Sequence, residues 1–138
     1  MRWVATTGGY TGNDVRDVML AAVEHRFGNV DAVPFSIEWL SDNGSGYIAH
    51  ETRAVASGLG LTPLKTLVCS PKSNGMAECF VKTMKRDYVA FMPKPGASTA
   101  VRNLAVAFEP YNRKAPAQRL EYRSPRGFRR RTDSSTQV

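Results

Sequence analysis

Trp39-Leu40-Ser41-Asp42-Asn43-Gly44-Ser45-Gly46-Tyr47, read with Ser70-Pro71-Lys72-Ser73-Asn74-Gly75-Met76-Ala77-Glu78 further on, decides the fold. The apolar run Ile37 to Leu40 reads as a short buried strand after the Pro34 loop. Asp42 lies directly past its end, and Asn43-Gly44 turns the chain. The second part opens a long helix, expected from about Asn74 to Phe91 and stopped by Met92-Pro93-Lys94-Pro95, with Glu78 in its first turns. Residues 43 to 77, 35 in all, separate the two carboxylates. Glu78, Lys82 and Lys85 follow at i, i+4 and i+7, one helix face, with Ala77, Phe80, Val81, Met84, Tyr88 and Phe91 on the apolar side. A strand-end carboxylate and a helix carboxylate are hard oxygen ligands able to share divalent cations about 3.5–4 Å apart. The lysines are able to hold phosphates. In isolation Glu78 and Lys82 amount to a solvated pair worth about 0.3 kcal/mol.

Working outward, Arg2 to Thr7 reads as a strand from its Trp, Val and Thr content, ended by Gly8-Gly9. A helix is expected over Asn13 to Phe27, with Val15, Val18, Met19, Ala22, Val23 and Phe27 on one face. Thr11 or Asn13 caps it, and Gly28 stops it. Asp14 and Asp17 suit the positive end of that helix and need no metal to explain them. A further helix is expected over about Ala49 to Leu59, and a strand over Leu64 to Val68 after Pro63. A last helix is expected from its cap Ser98 to Glu109, ended by Pro110, with Val101, Leu104, Ala105 and Phe108 inward. Strand and helix alternate, which implies an α/β layered domain with parallel strands and ligands at strand C-terminal ends.

The wording of the two central stretches is specific. Asp-Asn-Gly-Ser-x-Tyr at 42–47 and Ser-Pro-x-Ser-Asn-Gly-x-Ala-Glu at 70–78, continued by Phe80, Lys82, Thr83, Lys85, Arg86, Asp87 and Tyr88, resemble the DDE transposases of the retroviral-integrase superfamily. The likeness is to the OrfB transposases of bacterial insertion sequences, and Val4 to Tyr10, Asp17 to Leu20, Tyr111-Asn112 and Tyr122 to Pro125 share it. The resemblance runs to about Phe128, so residues 1–128 are expected to form a partial integrase-like catalytic core and 129–138 a basic, polar, disordered tail. It implies a ribonuclease-H-like α/β fold, a mixed sheet flanked by helices. Asp42 is the implied second catalytic acid and Glu78 the third, both metal ligands for Mg²⁺ or Mn²⁺, with Asn74, Lys82 and Lys85 contacting DNA. The implied activity is DNA transposition and integration by metal-dependent phosphoryl transfer on transposon ends and target DNA.

The sequence also departs from that family. Its first catalytic Asp belongs on a strand before Arg2, so the sheet is expected to lack its first two strands, and Met1 reads as an internal methionine of a longer frame. Ala115, Ala117 and Glu121 replace the His-Pro-His and Leu-Gly pattern of relatives. The expectation is an inactive or nearly inactive fragment. The alternative, of another class, is a non-catalytic module that binds DNA or pairs with full-length transposase and inhibits it. A homo-oligomer is a further expected form.

Composition fits either reading. With 138 residues the chain is long enough for one domain with a core. No apolar run approaches the roughly 18 residues of a membrane span, and no basic-then-apolar leader is present, so a cytoplasmic, nucleoid-associated bacterial protein is expected. Cys69 and Cys79 read as reduced, buried thiols rather than a disulfide framework. Residues 1–64 carry four Arg/Lys against seven Asp/Glu, and residues 65–138 carry fifteen against five. A basic half of this kind fits a polyanion partner. His25 reads as a cation at a helix C-terminus, and His50 as a residue able to approach the site.

Overall fold

A computed structural model of the chain describes residues 2–6, 8–28, 31–67, 75–92, 96–117 and 120–135. They form two compact units, Arg2–Glu78 and Cys79–Val138.

In the first unit, α1 spans Gly12–Phe27. Thr11 caps it through a reciprocal box. The Asp14 N–H donates to Thr11 Oγ1 at 3.4 Å, and the Thr11 N–H donates to Asp14 Oδ2 at 2.7 Å. That bonding to Thr11 holds the Asp14 carboxyl below its ordinary value. Gly28 ends the helix at φ 84°, a backbone state that glycine adopts without a Cβ penalty. Val15, Met19 and Val23 are buried as their spacing predicts.

Strand β1 covers Ile37–Ser41 and β2 covers Leu61–Lys65. They pair in parallel with Ile37 opposite Leu61 and Ser41 opposite Lys65. Between them lie the short helix α2, Ser45–Ile48, and α3, His50–Gly58. Thr52 ties these elements together. Its buried hydroxyl donates to the Gly46 carbonyl at 2.8 Å and accepts from Arg16 Nη1 at 3.3 Å. Met19, Val23, Ala56, Leu59 and Leu61 form the core, with Phe27, Val33, Ile37, Trp39 and Val55 packed around it. Burying each large aliphatic side chain stabilises by roughly 1.5–3 kcal/mol.

Three expectations need correction here. Residues 2–6 are not a strand. β propensity without a pairing partner does not make one. The segment instead runs back along α1, from Arg2, whose guanidinium reaches His25 Nδ1 at 2.9 Å, to the cap at Thr11. β1 is not buried on both faces, since Leu40 is 58% exposed while Ile37 and Trp39 face the core. β2 begins at Leu61 rather than Leu64 and includes Pro63. The Thr66 N–H donates to the Ser41 carbonyl at 2.9 Å, so strand alternation turns the nitrogen of Pro63 away from β1. A proline is tolerated there because no strand lies on that side among the described residues.

In the chain beyond, α4 spans Gly75–Asp87 and is followed by a 3₁₀ turn, Val89–Phe91. Helix α5 spans Ala97–Lys114 and α6 spans Pro125–Ser135. The long helix therefore breaks before Phe91, which is 82% exposed. Its apolar side is narrower than expected, with Met84 buried and Val81 at the surface. Phe80 stacks on Phe108 at 6.3 Å and meets Tyr111 edge-on at 5.0 Å. In α5 the buried residue is Ala107, while Val101 and Ala105 are exposed. Gly96, not Ser98, occupies the cap position.

Pro110 does not end α5. It removes one helical N–H, but the turn beyond is anchored. Asn112 Nδ2 donates to the Phe108 carbonyl at 3.0 Å, Arg113 pairs with Glu109, and the Tyr111 ring packs on Phe80 and Tyr88. The expected disordered tail is helical through Ser135. Cys79 is a free, exposed thiol rather than a buried one, and Cys69 lies outside the described residues. An antiparallel bridge pairs Ala117 with Arg123. The turn it closes holds Glu121 at φ 54° and Tyr122 at φ 56°, the left-handed region that favours glycine.

Candidate active site

Asp42 follows the last residue of β1, and the residues on both sides of it are bonded to Thr66, just past the end of β2. The Ser41 carbonyl accepts from the Thr66 N–H at 2.9 Å, and Asn43 Nδ2 donates to the Thr66 carbonyl at 3.0 Å. Thr66 is itself buried. The carboxylate caps its own turn, with Oδ1 accepting from the Gly44 N–H at 2.9 Å. Oδ2 remains available, and the side chain is exposed. Gly44 then starts α2, its carbonyl accepting from the Tyr47 N–H at 3.0 Å. The Asp-Asn-Gly wording thus encodes a rigid carboxylate at a strand end.

Two residues beside Asp42 were not assigned a role from sequence. The rings of Tyr10 and Tyr47 are tilted against each other at 5.4 Å. Tyr10 lies on the Gly44–Gly46 backbone so closely that a Cβ at Gly44 would sit 2.4 Å from its hydroxyl and 3.0 Å from Asp42 Oδ1. A Cβ at Gly46 would sit 3.1 Å from the same ring. Burial, and then the charges of Tyr10 and Asp42, push the Tyr47 phenol up, so it stays protonated as a donor. The signal that could have found Tyr10 is the Gly-x-Gly spacing at 44 and 46, the mark of a close approach. Tyr10 and Tyr47 also line an apolar concavity of about 300 Å³ with Trp3, Val4, Val15 and Trp39.

Glu78 is exposed in the first turn of α4. Lys82 and Lys85 are exposed on the same helix, and neither they nor Glu78 has an ion-pair partner among the described residues. The Glu78–Lys82 pair that helical spacing permits is not formed. Arg86 is instead engaged by Asp87, with Nη2 to Oδ2 at 2.7 Å. Asn74 lies outside the described residues. His50 opens α3 and lines a separate concavity with Arg53, Ser57 and Pro63.

Two exposed carboxylates suit a divalent cation in kind. In number they fall short: among the described residues no three His, Cys, Asp or Glu side chains gather to hold one. No described helix is long and apolar enough to cross a membrane.

No protein-family model matches the chain. It is 57% identical over 130 residues to the putative transposase InsD for insertion element IS2E of Escherichia coli K12, covering 94% of this chain and 59% of that protein. The identity is the same to the transposase InsD for insertion element IS2A/D/F/H/I/K of Escherichia coli, of which 43% is covered. The chain spans about half the length of the curated relatives it matches. In fold it is similar to the catalytic core domain of BIV integrase, with a TM-score of 0.69 and 19% identity over 97% of this chain and 80% of that one. It is also similar to a chain of the simian T-cell lymphotropic virus intasome in complex with PP2A regulatory subunit B56 gamma, with a TM-score of 0.59 and 22% identity over 80% and 37%. The architecture is the ribonuclease-H-like one expected, with two strands in its sheet among the described residues. By sequence the chain is a close homologue of the InsD insertion-element transposases over 94% of its length, and its fold is that of the integrase catalytic core.

Proposed function

We propose that the chain serves DNA transposition as part of a DDE transposase core, with Asp42 and Glu78 as its second and third catalytic acids. One observation carries this reading. Asp42 stands on a rigid strand-end turn in a chain 57% identical to InsD transposases over 94% of its length. Asp42 and Glu78 are the residues that would hold Mg²⁺ or Mn²⁺. Such an ion, when bound, polarises the phosphoryl oxygens and lowers the pKa of the attacking water or hydroxyl. The protein's share is positional. The Gly44 N–H holds the Asp42 carboxylate, Thr66 holds its neighbours Ser41 and Asn43, Tyr47 keeps a protonated hydroxyl nearby, and Lys82 and Lys85, unpaired with any carboxylate among the described residues, meet the DNA phosphates together with Asn74. The working site would be cytoplasmic and on bacterial DNA, with transposon ends and target as substrates.

Two carboxylates are an incomplete set for a two-metal site, so the isolated chain is expected to be inactive or nearly so. Mn²⁺ titration by electron paramagnetic resonance, beside an end-DNA cleavage assay, tests both statements. The expected result is weak Mn²⁺ binding that Asp42→Ala and Glu78→Ala each reduce, with cleavage at background. Binding indifferent to both substitutions would overturn the assignment of the acids. Metal-dependent cleavage abolished by Asp42→Ala would overturn the inactivity alone.

A second reading is a non-catalytic module that binds DNA or pairs with a full-length transposase. It is favoured by the charge of residues 79–138, thirteen Arg/Lys against four Asp/Glu. Binding to duplex DNA that is insensitive to salt, or absent, would sink it.

A further inference from the structure

The end of α5 and the start of α6 enclose a concavity of about 300 Å³ lined by Arg113, Lys114, Ser124, Arg126, Gly127 and Arg130. Four of these six residues are cations, and all come from residues 113–130 of one compact unit. One carboxylate answers them. Glu109 pairs with Arg113 and also with Arg126 at 3.4 Å. Lys114 and Arg130 have no acidic partner among the described residues. Local geometry explains only part of this. Arg113 and Lys114 sit in the last turn of α5, where cations are favoured. Arg126 sits in the first turn of α6, where a cation is disfavoured, and Arg130 follows it at i+4 as a like charge. Ser124 adds a hydroxyl. Its Oγ accepts from the Gly127 N–H at 3.2 Å, which leaves its proton to donate outward. A Cβ at Gly127 would meet that Oγ at 3.1 Å, so glycine keeps the floor open.

We propose that this concavity binds the phosphodiester backbone of nucleic acid, irrespective of base sequence, on elements other than the α4 helix of Lys82 and Lys85. A group of cations with one shared carboxylate and an outward hydroxyl matches phosphate oxygens, contacts that carry no sequence information. The proposal rests on the nucleic-acid reading above and adds a second place of contact.

The test uses the full chain and a short mixed-sequence duplex, followed by fluorescence anisotropy across salt. The variant Lys114→Gln/Arg130→Gln removes the two unpaired cations without touching the Glu109 pairs. Its slope of log affinity against log salt is expected to fall by about 2, close to 0.9 per phosphate contact. The wild type's advantage over it should therefore shrink roughly tenfold between about 50 and 200 mM salt. Glu109→Gln is expected to tighten binding, a change that misfolding cannot imitate. An unchanged slope in the double variant, with Lys82→Gln/Lys85→Gln still weakening binding, overturns the concavity and leaves the nucleic-acid reading standing. Absence of any binding by the wild type at low salt overturns both.

Discussion

Substituting Gly44 by alanine tests how tightly the Asp42 turn is built. The backbone at Gly44, φ −59° and ψ 143°, suits alanine as well as glycine. On that ground alone Gly44→Ala would stabilise by about 0.4–1 kcal/mol through the unfolded chain. The added methyl would, however, lie 2.4 Å from the Tyr10 hydroxyl. Tyr10 has to swing away, giving up its ring contact with Tyr47, worth about 0.5–1.5 kcal/mol, and its seat on Gly46. Overpacking of this kind costs about 1–3 kcal/mol, so a net loss of about 1–2 kcal/mol is expected. The severe clash is with the Tyr10 oxygen, and the 3.0 Å approach to Asp42 Oδ1 is tight but milder. Tyr10→Phe alone should cost within about 0.5 kcal/mol, and Gly44→Ala in that background should be close to neutral, a coupling of about 1 kcal/mol or more. Urea unfolding followed by tryptophan fluorescence reads this directly, because Trp3 and Trp39, the chain's two tryptophans, both lie in the Arg2–Glu78 unit. Strict additivity of the two substitutions would refute the close approach of Tyr10 to the Asp42 turn.

Four further outcomes are expected. Met19→Ala, at a fully buried position, should cost the same unit about 2–5 kcal/mol in that unfolding assay. Thr52→Val should cost about 1–3 kcal/mol, because the Gly46 carbonyl loses its buried donor. The Asp14 carboxyl is depressed by Thr11, so its contribution is full above the ordinary value of 3.8 and is lost as pH falls below it. Asp14→Asn should flatten the acid limb of the stability–pH curve while leaving its neutral shape unchanged. Pro110→Ala should restore a helical N–H and stabilise α5 by about 1–3 kcal/mol, seen as a later far-UV circular dichroism transition.

What was legible in the sequence was whatever local chemistry encodes. Thr11, Asp14 and Gly28 bound α1 as read, and its buried face follows the apolar spacing at Val15, Met19 and Val23. Asp42 stands where Asp-Asn-Gly after an apolar strand puts it. What was not legible depended on neighbours. Arg2 to Thr6 has strand-forming residues but no strand beside it. Pro63 was read as lying before the strand, yet it lies inside β2, because a strand paired on one side can spare every second N–H. Pro110 was read as a stop, and contacts from Tyr111 and Asn112 carry the helix past it. The polarity of residues 129–135 hid a helix whose first turn is tied to α5 through Arg126 and Glu109. Tyr10 was hidden because its meeting with Gly44 is made across 34 residues of chain.

Pro63 has one more consequence. The outer edge of β2 is interrupted by a residue with no N–H, which makes it a poor template for another strand. The outer edge of β1 carries no proline and no paired strand among the described residues. Among the described residues this leaves the border of β1 as the more receptive one. Two copies joined edge to edge through β1 would be a closed, two-fold pair with both remaining borders blocked by Pro63. A single imino acid on β2 would then disfavour further strand addition at either border of such a pair.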